Sequence, residues 1–147
     1  MRTSPYPPTT LLLLIALAAA AVRLALVLHL QYVPESDYAA YHAMAVNLLS
    51  KGELRDGTGN WAFFNPGYPF FFLAPVYALF GVNPLFATVG NALLGGVSAV
   101  LVGLLVFRLT RRRDASLIAA LVWCFYVESR VYAAYLAKEN LMIPLLL

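Results

Sequence analysis

The sequence predicts an all-α integral membrane protein with about four transmembrane helices of roughly 20 residues each, the last one incomplete, and a juxtamembrane helix in an external loop between the first two. Three observations predict it. Hydrophobic residues make up 62% of the 147 residues and charged residues only 12%, where a soluble domain carries about a quarter. Mean hydropathy is +0.76, which no water-exposed surface explains. The apolar residues also fall into long runs separated by short polar segments. The net charge of +3 is modest, and its main basic cluster, Arg108 with Arg111, Arg112 and Arg113, directly follows an apolar run. That is the position of a juxtamembrane anchor rather than a nucleic-acid face.

The spans follow in order. Residues 1–9 are polar and proline-rich, with Arg2 and the amino terminus positive. Residues 10–30 form the first span, interrupted only by Arg23 and His29. A cleavable signal peptide ending at Ala18-Ala19-Ala20 is the competing reading. The loop 31–84 opens on Pro34-Glu35-Ser36-Asp37. From Asp37 to Ser50, residues Tyr38, Tyr41, Ala45, Leu48 and Leu49 recur on one helical face. Ser36 is the expected N-cap, Asp37 suits the first turn, and Gly52 ends the helix. Asp56-Gly57-Thr58-Gly59-Asn60 reads as a loop. Phe63-Phe64-Asn65-Pro66-Gly67-Tyr68-Pro69 is followed by an apolar stretch to Phe80, closed by Gly81 and Pro84; it is too short to span and rich in aromatics, so an interfacial or re-entrant helix is expected.

The second span covers 85–107. Asn91, Gly95, Ala99 and Gly103 recur every fourth residue in it, a stripe that lets another helix approach closely. The third span covers 115–137 and a fourth starts within 138–147. That last run stays apolar to Leu147, so the chain is expected to be the amino-terminal part of a longer protein. The single cysteine, Cys124, sits in an apolar run and is expected to be a buried thiol. Positive-inside asymmetry puts the amino terminus and Arg111–Arg113 in the cytoplasm. The loop 31–84 and the segment 128–138 then share the external or periplasmic face.

Asp37 is the residue best placed for chemistry. A carboxylate at the start of an external helix can act as a general base beside a lipid headgroup, or can simply mark the helix start. Arg23 lies in the first span, where a charge is costly and needs a partner. It is expected either to pair with a carboxylate or a phosphate, or to snorkel to the interface. His29 and His42 are isolated, and no metal site is expected from either.

Three segments carry a resemblance. These are Asp37-x3-Tyr41-x-Ala43-x3-Asn47-Leu-Leu-x2-Gly52, then Asn65-Pro66-Gly67-Tyr68-Pro69, then Tyr77-x2-Phe80-Gly81. In order and spacing they resemble the first external loop of the C-superfamily (GT-C) membrane glycosyltransferases, which include protein O-mannosyltransferase and aminoarabinose transferase relatives. Asn65 stands where the family usually has a proline. The resemblance implies transfer of a sugar from a polyprenyl- or dolichyl-phosphate donor to an acceptor hydroxyl, with inversion, and Asp37 as base. It implies a second acidic position at Glu139, where Lys138 replaces the usual preceding hydroxyl residue, and in metal-using relatives a divalent cation. Arg23, Tyr41, Tyr68 and Glu35 are the implied substrate-binding positions. The sequence leaves open a different class, a non-enzymatic membrane subunit or transporter segment. In that case polar residues such as Arg23 and Asn91 would line a path near the midplane.

Overall fold

The computed structural model describes residues 6–30, 33–61 and 65–147, and every regular element among them is helical. Arg2, Phe63 and Phe64 lie outside the described residues. The helices are α1 (Thr9–Leu30), α2 (Ser36–Lys51), α3 (Ala74–Phe80), α4 (Pro84–Thr110), α5 (Arg113–Phe125), α6 (Val127–Ala133) and α7 (Glu139–Leu146). A π-helical turn, Pro69–Leu73, leads into α3. Asn83 caps α4 by accepting the Leu85 amide, with Pro84 at the first position, where its missing amide costs nothing.

α1 and α4 are long and apolar enough to cross a bilayer, and they pack along each other, with α5 against both. The glycine and alanine stripe dictates this packing. A Cβ on Gly95 would meet Arg23, one on Gly96 would meet Ala16, and one on Gly103 would meet Leu12. Contact positions descend along α1 as they ascend along α4, so the two helices are antiparallel. Ser116 on α5 donates to the Gly103 carbonyl at 2.7 Å. Ala19, Ala99 and Cys124 form the core between the three helices, with the thiol buried as expected. The same end of the bundle holds Arg113 and the start of the chain, because Arg113 Nε donates to the Tyr6 carbonyl at 3.1 Å.

The expected third span is not continuous. α5 and α6 meet at a 52° bend around Tyr126, with no proline or glycine at the break. Arg23 supplies the physical cause. Its Nη2 donates to the Trp123 carbonyl at 3.1 Å and its Nη1 to the Cys124 carbonyl at 3.3 Å. A side chain inserted into a helix ladder is one of the few established causes of a sharp kink. In hydrocarbon a freed carbonyl costs several kcal/mol unless it is satisfied internally. The Trp123 carbonyl also accepts the Tyr126 amide, whereas the Cys124 carbonyl depends on Arg23, which further bonds the Ala19 carbonyl and Ser129 Oγ. The snorkelling expectation for Arg23 is therefore corrected: the side chain is 0% exposed.

The expected count of four spans is established only in part. Two helices are long and apolar enough to cross, or three if the bent pair is one span. α7 has eight residues and rises only about 12 Å. α2 and the Pro69–Phe80 segment pack together at the far end of the bundle from Arg113. Tyr41, Met44, Ala45, Leu73, Ala74 and Tyr77 are buried between them. Leu49 was expected on this face but is exposed, because the contact stripe is narrower than the apolar one.

Close helix approach is testable at Gly96. A Cβ there would lie 2.8 Å from the Ala16 carbonyl oxygen, which is backbone and cannot step aside. Gly96→Ala is expected to destabilise by about 1–3 kcal/mol, read as a lower thermal midpoint in detergent. Gly67→Ala meets nothing within 4 Å and should leave the midpoint unchanged.

Candidate functional site

The site is built from two helix starts brought together at one end of the bundle. α2 begins with Glu35 in extended backbone and Ser36 at φ 52°, a left-handed conformation. The expected Ser36 side-chain cap is not formed. Instead the amides of Tyr38 and Ala39 bond the Glu35 carbonyl. This sharp entry leaves Asp37 exposed on the first turn. The other end of α2 is held as the sequence suggests. Gly52 takes φ 71° and donates to the Leu48 carbonyl at 3.0 Å. Asn47 bonds the carbonyls of Arg55 and Asp56, which fixes the following loop against the helix.

The second helix start is α7. Residues 134–138, which join it to α6, are pinned by two asparagines. Asn91 on α4 is fully buried; its Nδ2 donates to the Tyr135 carbonyl at 2.8 Å, and its Oδ1 accepts from the Tyr68 hydroxyl at 3.0 Å. Asn140 Nδ2 donates to the Tyr132 and Ala137 carbonyls. Glu139 is thereby held at the level of Asp37.

Asp37 and Glu139 line one cavity of about 230 Å³, together with Lys138, Tyr38, Tyr41 and Tyr132. The aromatic wall continues through Tyr135, whose ring stacks on Tyr38 at 5.4 Å between centroids. Burial raises the Tyr41 hydroxyl above its ordinary pKa. A hydrogen bond with Asn65 works against the shift, and the negative charges of Asp37 and Glu139 add to it. Tyr41 therefore stays neutral in the working range and offers a hydroxyl beside two carboxylates.

Lys138 also borders a second cavity of about 190 Å³ whose wall is mainly Phe71, Leu141, Met142 and Leu145. A polar, acidic pocket and an apolar groove thus meet at one lysine. Among the described residues no group of three or more His, Cys, Asp or Glu side chains is placed to hold a metal ion.

The other sequence-derived positions separate. Arg23 lies inside the bundle on backbone carbonyls and Ser129, with no carboxylate among its hydrogen-bond partners. Tyr68 is 3% exposed; its hydroxyl bonds Asn91, which positions α4 against the loop, and the residue also borders the apolar cavity beside Lys138. Glu35 is exposed and outside the lining of the acidic pocket. His42 is not isolated. Its Nδ1 lies 2.9 Å from the Tyr77 hydroxyl and ties α2 to α3, and burial lowers its pKa. No signal in the sequence pointed to Tyr132 or Asn91 as parts of this site; both matter only because the α5–α6 bend turns the chain toward α2.

Asn65 occupies a left-handed turn. Its φ is 47°, which a proline ring, fixed near −65°, cannot adopt. Asparagine tolerates that region and also bonds Tyr41. Comparison with protein-family models, with curated proteins and with solved structures finds no match for this chain.

Two predictions follow from these contacts. Asn65→Gly should fold as well as the parent, while Asn65→Pro should expose the 61–80 segment to limited proteolysis; equal protection of both variants would show that the turn is not needed. The folded state holds His42 below its ordinary pKa of 6.5, so near that pH the unfolded chain binds more protons. Stability contributed by neutral His42 is complete at pH 8 and falls as pH drops through 6.5 toward the folded value. Thermal midpoints between pH 8 and pH 5 should therefore fall more steeply for the parent than for His42→Gln.

Proposed function

We propose that this protein transfers a sugar from a polyprenyl-phosphate donor to an acceptor hydroxyl at the external membrane face. One observation carries the reading: two carboxylates from helices about a hundred residues apart line one pocket, and that pocket joins an apolar groove at Lys138. A donor of this class has the same shape, a polar sugar, an anionic phosphate and an apolar chain. The sugar would occupy the Asp37–Glu139 pocket and the first isoprene units the Phe71–Leu145 groove. Lys138 would lie beside the phosphate as a point charge.

The chemistry needs a base, and Asp37 is the exposed carboxylate. It takes the proton from the acceptor hydroxyl. The acceptor oxygen attacks the anomeric carbon from the face opposite the phosphate, and the bond from that carbon to the phosphate oxygen breaks. The electron pair leaves with polyprenyl phosphate, and the configuration inverts. Glu139 orients the acceptor or sugar hydroxyls, and Tyr41 contributes a neutral hydroxyl.

A transporter reading requires polar groups free along a midplane path. Arg23 and Asn91, the two polar residues placed for it, are fully buried and spend their hydrogen bonds on helix carbonyls and neighbouring side chains. Asp37 faces a pocket rather than only bulk water. Both points favour transfer over transport. In this reading the Arg111–Arg113 end faces the cytoplasm and the loop from α1 to α4 faces outward.

The test is release of polyprenyl phosphate and labelling of acceptor by membranes containing the complete gene product. Asp37→Asn keeps the size of the side chain and removes the base, so transfer should fall by about 10²–10⁴-fold at unchanged expression. Undiminished transfer in Asp37→Asn would remove the assignment.

A further inference from the structure

The segment Pro69–Phe80 is covered on one side only. Leu73, Ala74 and Tyr77 are buried with Tyr41, Met44 and Ala45 of α2. On the other side Phe70, Phe71, Leu79 and Phe80 are exposed, Phe71 by 72% and Leu79 by 76%. The sequence holds no charged residue between Asp56 and Arg108, so nothing on this face keeps it in water. The charged residues of the loop all lie earlier, from Glu35 to Asp56, on α2 and just beside it. A contiguous uncovered apolar face marks contact with lipid or with protein.

Packing against α4 decides between the two. Phe86, Leu93 and Val97 of α4 are exposed, and their helical spacing puts them on one side, with Gly90 among them. Gly95 and Ala99, which meet Arg23 and Ala19 of α1, lie on the opposite side. α4 is long and apolar enough to cross a bilayer, so hydrocarbon is the medium for its exposed stripe. The Pro69–Phe80 segment sits on that same stripe. A Cβ on Gly90 would lie 2.8 Å from Phe72 Cζ, and the Phe80 ring lies 5.8 Å from that of Phe86. The segment thus occupies the Pro84 end of the side of α4 that Leu93 and Val97 continue.

The register gives the angle. From Phe72 to Phe80 the segment advances about 12 Å along its own axis, while its contacts move from Gly90 to Phe86, about 6 Å along α4. Tyr68, just before the segment, reaches Asn91 at 3.0 Å. The segment is therefore oblique to α4, with its Phe70–Phe72 end a turn deeper than Phe80. Its backbone is closed at both ends, as entry into lipid requires. The Phe70 amide bonds the Pro66 carbonyl and the Gly81 amide the Tyr77 carbonyl, each at 3.0 Å. We infer that Pro69–Phe80 is immersed obliquely in the leaflet at the Pro84 end of α4. Phe70, Phe71, Leu79 and Phe80 then lie against acyl chains, and α2 forms the polar cover. The partner is the lipid leaflet, and the inference stands whether or not the acidic pocket transfers sugar.

The test places nitroxide spin labels on the full chain in phosphatidylcholine vesicles. Cys124 is 1% exposed, so the unsubstituted chain serves as the unlabelled blank. Labels on Phe71→Cys and Leu79→Cys should be relaxed strongly by oxygen and weakly by a water-soluble nickel chelate. A label on Ser50→Cys, exposed on α2, should show the reverse. Phe71→Cys should report a depth about 6 Å greater than Leu79→Cys. Both side chains are exposed, and Phe70→Cys takes the place of Phe71→Cys should that variant not fold. Nickel access at Leu79→Cys equal to that at Ser50→Cys would put the face in water. Exclusion of both reagents, with dipolar broadening between labels, would put a second copy of the chain on it. Equal depths, or a difference near the full 12 Å or so of the segment, would remove the oblique insertion. Each of these three results overturns the inference.

Discussion

The bilayer accepts no unpaired backbone carbonyl, and Arg23 is where this protein meets that constraint. Its guanidinium takes over the Trp123 and Cys124 carbonyls at the end of α5. The Tyr126 amide also reaches the Trp123 carbonyl, but without Arg23 the 52° bend would strand the Cys124 oxygen in hydrocarbon. Gly95 is the other half of the device. A Cβ there would lie 2.4 Å from Arg23 Cδ and Nε, so only glycine leaves the arginine room between α1 and α4. The rest follows in sequence. The bend turns α6 away from the α5 axis, Asn91 and Asn140 hold the link beyond it, and Glu139 arrives beside Asp37. A straight third span would have carried Glu139 along the bundle axis, with no such turn.

Much of this was legible from residue patterns. α1 and α4 show as uninterrupted apolar runs, α2 as a helical face ended by Gly52, and the Asn91–Gly103 stripe as a packing surface. Asp37 and Glu139 were placed at one face by counting crossings alone. The break in the third span was not legible. Hydropathy sums over a window, and neither proline nor glycine marks Tyr126. The cause is a side chain about a hundred residues earlier, whose effect depends on the α1–α5 contact. The same nonlocality hid the true partners of Arg23. Sequence reasoning looked for a carboxylate or for water, because those are the usual partners of a charge, while the available acceptors were carbonyls released by another helix. Ser36 was misread for a local reason: the turn at Glu35–Ser36 is satisfied by backbone, so the side-chain cap has nothing left to supply.

Asn65 shows how a departure from a family pattern can carry information. A proline there would set φ near −65°, and this chain needs 47°. The turn that results brings Asn65 to Tyr41 and Tyr68 to Asn91. The Asn-Pro-Gly-Tyr-Pro segment is therefore mainly a brace between the loop and α4. Its contribution to a site is indirect, through the placement of Tyr41. Tyr68 both braces the loop against α4 and borders the apolar groove beside Lys138.

This division of labour bears on what the pocket can do. The groups locked by burial and multiple hydrogen bonds, Arg23, Asn91 and Tyr68, are those that hold helices together. Asp37, Lys138 and Glu139 instead line an open cavity. The Asp37 and Glu139 carboxylates in the first turns of α2 and α7 also favour those helices through the macrodipole. The proposed transfer would use this arrangement, because an amphiphilic donor meets both the acidic pocket and the apolar groove. Arg23 and Asn91 hold, from within, the bend and the link that set Glu139 in the same pocket as Asp37.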